Sequence, residues 1–293
     1  MILHMRPTSP LSPPRLRTCV LSCLAFCFLI PTAGAQTASS ASSAATGSGT
    51  VDIWTVRAER TASFGTSWKT FAIVQKSWTT KWQKAHDKLL AHTDTCHLNV
   101  RSANRDTLLP VTLQCYRGQL NLERDALTNE REVISLWPGI PTESKTAMLQ
   151  SIDALLSATQ PVIDAIDAKV FTTQDAFQDV RTNLRTQYRA PYWLASAHFR
   201  ADAALMWLDY LLLSLHAQTE NAELLSSTQE KILSALQCYE TAEPLLFSAS
   251  HAETVDTARK DFSEAGTLLS PCPALLREAQ TLQTQSSSSP ARP

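Results

Sequence analysis

Glycine is scarce in this sequence, with seven residues in 293. Beyond residue 50 only Gly65, Gly118, Gly139 and Gly266 remain. They are too few and too scattered for phosphate-cradling loops or for the turns and bulges of a sheet. No segment alternates apolar and polar residues over the length of a strand, so the pattern argues against sheets as well. The chain has no basic excess, with 26 Lys and Arg against 27 Asp and Glu, so the electrostatic footprint of a nucleic-acid binder is missing.

The catalytic signatures are equally thin. There is no C-x-x-C pair for zinc, no C-x-x-C-H for haem, and no H-E-x-x-H or E-x-x-H for a helical metal centre. No lysine lies three residues after a serine and no G-x-S-x-G occurs, which removes two common nucleophile arrangements. The expectation is therefore a chain with no cofactor and with no catalytic, cofactor-binding or metal-ligating residue set.

The N-terminus does carry information. Arg6, Arg15 and Arg17 precede an apolar run from Cys19 to Ile30, followed by Pro31 and Ala33-Gly34-Ala35. This is the order of a secretory signal peptide, and the run is shorter than the ~20 residues a membrane-spanning helix needs. Residues 1–35 read as a signal, leaving 23 basic residues against 27 acidic ones. The Ser/Ala/Thr/Gly stretch 36–51 reads as a linker, 52–284 as a helical bundle domain, and 285–293 as a disordered tail. The expected location is outside the cytoplasm, either periplasmic or extracellular and cell-surface.

Three of the seven cysteines leave with the signal, so Cys96, Cys115, Cys238 and Cys272 remain. An even number in an exported chain reads as two disulfides with three possible pairings. Proximity selects Cys96 with Cys115 and Cys238 with Cys272, each flanking a helix connection. The second pair demands more of the fold. In a regular hairpin Cys238 would face Arg259 or Lys260, so Pro244 must end its helix early or the chain must turn back at Ser270-Pro271.

The strongest periodic signal is Thr61, Phe64, Trp68, Phe71, Gln75, Trp78, Trp82, Ala85 and Leu89, in alternating steps of three and four. That is a heptad seam, extended backwards by Trp54, and it predicts a long first helix from about residue 52 to 94. Prolines and caps divide the rest. Pro110 opens a second helix, Pro138 and Pro141 close it, Thr142 caps a third, and Thr172 with Asp175 marks a fourth. A further helix starts at Pro191, and Pro161 is expected to kink the third. The fold class is all-α, an elongated up-and-down helical bundle of six to eight helices.

The segment from Tyr192 to Gln218 is apolar around most of its circumference and reads as the central helix. Its charges argue against a membrane span, so no transmembrane segment is expected after signal cleavage. At 100° per residue His198, Asp202, Asp209 and His216 fall on one stripe, within roughly 40° of each other. This stripe is the candidate site. Its plain alternative is a narrow solvent-facing edge, because His198 and His216 lie ~27 Å apart along a straight helix and cannot share a metal. His92 and Cys96, with His86, His97, Asp87 and Asp94 nearby, form a second polar group at the end of the first helix. On this reading the chain is a non-catalytic exported scaffold or protein-interaction module of the cell envelope, whose partner is an unknown envelope protein or polymer. The alternative is a small-molecule-binding or sensor-like bundle, and an enzyme ranks last.

Overall fold

Prolines and capping side chains cut the chain close to where the sequence places the breaks. The computed structural model describes residues 52–220 and 226–288, and every regular element among them is helical. The elements are α1 (Ile53–Ser102), α2 (Leu108–Leu136), α3 (Thr142–Asp167), α4 (Gln174–Asn183), a π-helical turn (Leu184–Arg189) and α5 (Ala190–Thr219). They continue with α6 (Ser226–Glu240), α7 (Glu243–Ser250), α8 (Val255–Leu269) and α9 (Cys272–Ser288). With α4, the π turn and α5 taken as one continuous run, these are eight helices, the all-α bundle that the periodicity predicts. The expected signal and linker lie outside the described residues, while α9 carries helix to Ser288, past the expected boundary at 284.

Two local expectations shift. The cap of α4 is Thr173 rather than Thr172, its side chain accepting from the Ala176 N–H at 3.3 Å. Thr142 is the first helical residue of α3, behind Pro141, and makes no side-chain cap. Pro191 sits at the start of α5, as the sequence places it, and α4 with the π turn leads into that helix without a break. Proline has no N–H for the preceding turn and its ring crowds the carbonyl four residues back; the wider π turn just before it relieves both problems. Pro161 lies inside a continuous α3.

The buried positions of α1 follow the heptad seam: Arg57, Thr61, Phe64, Phe71 and Gln75. The side chains of Trp68, Trp78 and Trp82, expected on the same seam, lie outside the described residues. Helices α2 and α3 run antiparallel in a register marked by three arginine contacts, the ion pairs of Arg117 with Asp167 and Arg131 with Asp153 and the hydrogen bond from Arg124 to Gln160. Each step of seven up α2 matches a step of seven down α3. These pairs are exposed, so each adds at most ~1 kcal/mol, but together they specify the alignment.

The turn between α2 and α3 is anchored in the core. Trp137 packs 4.8 Å from Phe71 and 5.5 Å from Phe199, and Gly139 takes the left-handed φ of 74° that a side chain disfavours.

Helix α5 buries eleven residues between Tyr192 and Leu215, leaves Trp193 and Tyr210 exposed, and packs against α3, α6, α7 and α8. Its C-terminal half, with Leu205, Leu208, Leu211, Leu212 and Leu215, forms one core with Ile232 and Leu236 of α6 and Leu246 of α7. Ala235, Ala265 and Ala279 complete that core; a methyl side chain lets the backbones of α6, α8 and α9 come close. Among the described residues no helix is long and apolar enough to cross a membrane.

Both disulfides pair locally. Cys96 joins Cys115 with Cα atoms 5.5 Å apart, and Cys238 joins Cys272 at 5.6 Å. The second pairing is possible because α6 stops at Glu240, before Pro244, and the chain turns back at Ser270-Pro271 to start α9 at Cys272. Helix α9 then lies along α6, where Lys231 reaches Glu278 at 2.6 Å.

Candidate functional site

The stripe of α5 does not act as one unit, because its four residues meet three different surroundings. Asp209 is the most enclosed, at 2% exposure, and faces Arg57 of α1, which is 3% exposed. Arg57 Nε lies 3.3 Å from Asp209 Oδ1, an ion pair without hydrogen-bond alignment, since that N–H has no hydrogen-bond partner. The rest of the Arg57 guanidinium meets Glu240 Oε1 at 3.4 Å and Glu243 Oε2. Arg60 caps Asp209 from outside, with Nη2 3.0 Å from Oδ2. Burial pushes the Asp209 carboxyl above the ordinary carboxylate range, and Glu243 adds to this while Arg60 and Arg57 oppose it. The cluster, two arginines against three carboxylates, is an ion-pair knot joining α1, α5, α6 and α7.

Two turns earlier on α5, Asp202 is half-buried and meets the corner between α7 and α8. Burial raises its carboxyl too, opposed by Ser144 of α3, by His251 and His198, and by Ser250. Ser144 faces it with a buried Oγ that falls short of standard hydrogen-bond geometry. His198 Nε2 donates to the Ala252 carbonyl at 2.7 Å, tying α5 to the chain just past α7.

A serine, a histidine and an aspartate thus converge at Ser250, His251 and Asp202, the residue types of an acyl-transfer triad, so the direction of the protons decides what they can do. Ser250 Oγ donates to the Phe247 carbonyl at 2.9 Å, and His251 Nδ1 lies 3.0 Å from the same carbonyl and 2.8 Å from Ser250 Oγ. A carbonyl only accepts. The imidazole nitrogen facing the serine, set against that carbonyl, therefore carries a hydrogen of its own, and the serine proton has the Phe247 carbonyl and the Asp202 carboxylate as acceptors. That nitrogen cannot take a proton from Ser250, which a base activating a nucleophile must do. The arrangement closes the C-terminal end of α7, satisfying a carbonyl the helix leaves unpaired.

His216 stacks flat on Trp54 of α1, with ring centres 3.9 Å apart and planes 5° from parallel, and lies 3.6 Å from Glu220. Arg57 sits over the other ring partner of this stack, 4.8 Å from the Trp54 centre. The solvent-facing alternative for the stripe therefore fails at Asp209, which is sealed, while His198 and His216 each bind a separate neighbour.

In the second polar group, Cys96 is bonded to Cys115 and offers no thiolate for a metal. The His86 side chain lies outside the described residues. Among the described residues, no group of three or more His, Cys, Asp or Glu is placed to hold a metal ion.

Arg57, Arg60, Ser250 and His251 are absent from the sequence-derived candidates. Arg57 had a readable signal, because it falls three residues after Trp54 and four before Thr61, on the heptad seam itself. A cation at a seam position must be enclosed by a facing carboxylate, and Asp209 was one of the two carboxylates on the most apolar helix. Ser250 and His251 carried no such signal, since nothing local announces that Asp202 will lie beside them. No protein-family model, no curated protein and no solved structure matches this chain.

Proposed function

We propose that this protein is an exported, non-catalytic helical scaffold or protein-interaction module of the cell envelope. The observation that carries the reading is the proton order at Ser250 and His251, where the residues most suggestive of catalysis terminate a helix instead of activating a nucleophile. The knot at Asp209 and the His198 bond to Ala252 support it in the same way, since each joins helices. Two disulfides suit an oxidising compartment, and the arginines and apolar run before Ala35 provide the route there. Large apolar side chains left exposed, including Leu98, Val170 and Phe247, are contact points for a partner.

The test combines location with contact. Photo-crosslinking residues are placed singly at Leu98, Val170 and Phe247 in the native host, cells are fractionated, and adducts are identified by mass spectrometry. The expected result is a protein beginning within a few residues of Gln36, outside the cytoplasm, with one recurring envelope adduct from at least one position. A native protein that retains residues 1–30, or the absence of any recurring adduct from all three positions, overturns the reading.

A further inference from the structure

The two disulfides stand in different chemical surroundings. Cys272 is fully buried, with its sulfur 3.5 Å from the Leu268 carbonyl, and its partner Cys238 is half-buried. Cys96 and Cys115 are both half-buried at the joint of α1 and α2, and an imidazole lies against them. His92 Nε2 is 2.8 Å from the Cys115 carbonyl oxygen and 3.4 Å from Cys96 Sγ. Because a carbonyl only accepts, Nε2 carries the hydrogen, so an N–H is held beside one sulfur of the bond and not the other.

The ring has a place built for it. Gly118 lies in the interior of α2, where glycine costs about 1 kcal/mol relative to alanine. A Cβ at position 118 would stand 2.3 Å from His92 Cε1 and 2.6 Å from Nε2. The missing side chain is the space in which the imidazole reaches both the carbonyl and the sulfur. His92 and Cys96 continue the α1 seam by a step of four, so the helix itself aims the ring at the sulfur.

We propose that Cys96–Cys115 is a thiol–disulfide exchange site, with Cys115 the sulfur attacked by an external thiolate and Cys96 the leaving sulfur held by His92. In the first step the incoming thiolate forms a bond to Cys115 Sγ, the Cys96–Cys115 bond breaks, and its electron pair leaves on Cys96 Sγ, where the His92 N–H stabilises it. A leaving thiolate that is better stabilised departs faster. In the second step another thiolate attacks the external sulfur of the mixed disulfide and releases Cys115 as a thiolate. Two external thiols are oxidised to one disulfide, the protein disulfide is reduced by two electrons, and the two protons end on Cys96 and Cys115. Among the described residues no imidazole lies against Cys238–Cys272, which serves as the internal reference.

The experiment uses the purified oxidised protein with reduced glutathione as the probe, acid quenching, alkylation and mass mapping of each cysteine over time. The expected result is opening of Cys96–Cys115 at least about tenfold faster than Cys238–Cys272, with the glutathione adduct on Cys115. His92→Ala slows the first opening several-fold and leaves the second unchanged. Gly118→Ala, which displaces the ring without altering it, does the same. If His92 merely packs the joint, both variants loosen it and the opening accelerates, which overturns the proposal. An adduct on Cys96, or equal opening rates for the two disulfides, also overturns it.

Discussion

Replacing Arg57 by Met removes a guanidinium that is 3% exposed and leaves its aliphatic stem in place. The change deprives Asp209, itself 2% exposed, of its one buried cation, whose Nε lies 3.3 Å away, and leaves it with the more exposed Arg60, whose Nη2 lies 3.0 Å away. It also removes the cation over the Trp54 ring and the partner of Glu240 and Glu243, which are partly solvated. Breaking a buried pair by deleting one member costs about 3 to 5 kcal/mol, and the remaining Arg60 contact places the expected loss near the lower end, about 3 kcal/mol. Arg60→Met should cost only about 1 kcal/mol, since Arg60 is 40% exposed and the pair is solvent-screened on that side. The double variant Arg57→Met with Asp209→Leu fills the same space with apolar atoms and should return to within about 1 kcal/mol of wild type, because no charge is left enclosed. Urea unfolding followed by circular dichroism and tryptophan fluorescence measures all three, and the single variant Asp209→Leu, with Arg57→Met and the double, closes the cycle. If Arg57→Met costs no more than Arg60→Met, or if the double variant loses the sum of its singles, Arg57 and Asp209 are not coupled and the reasoning fails.

Three further outcomes follow from particular contacts. Gly139→Ala should cost about 1 to 3 kcal/mol in the same unfolding assay, because φ is 74° and the new methyl would stand 3.1 Å from Met206 Sδ and 3.2 Å from Phe64 Cβ; an unchanged midpoint would show that the turn is not held against α1 and α5. Leu212→Ala, at a fully buried position in the core of α5, should cost about 2 to 5 kcal/mol, and a loss under about 0.5 kcal/mol would remove α5 from the centre. Asp202 has its folded-state value raised above 3.8 by burial, so the folded protein binds the proton more tightly than the unfolded chain and wild type loses stability as pH rises through that window. Asp202→Asn cannot titrate, so its stability relative to wild type should improve between about pH 3.5 and pH 7, and a difference that stays flat or moves the other way refutes the assignment.

Much of this architecture is determined locally and is therefore readable along the chain. A seam in steps of three and four requires a helix with one buried face, and Thr61, Phe64, Phe71 and Gln75 are buried as that seam demands. Trp137-Pro138-Gly139-Ile140-Pro141 cannot continue a helix, so it must separate α2 from α3. An even set of four cysteines, each pair close in sequence, needed only Pro244 and Pro271 to break the helices for Cys238 to meet Cys272. Tertiary structure alone decided what faces what. Arg60 and Asp209 are 149 residues apart and Arg57 and Glu243 are 186 apart, and no local period encodes a contact at that range. The stripe His198, Asp202, Asp209 and His216 is a property of one helix, whereas its division into a helix-end closure, a sealed ion cluster and a ring stack depends on which of α1, α3, α7 and α8 packs beside each turn. Gly118 shows the same boundary. By sequence it is an unfavourable residue within a helix, and only the packing of α1 on α2 shows that its missing side chain makes room for His92 beside the disulfide.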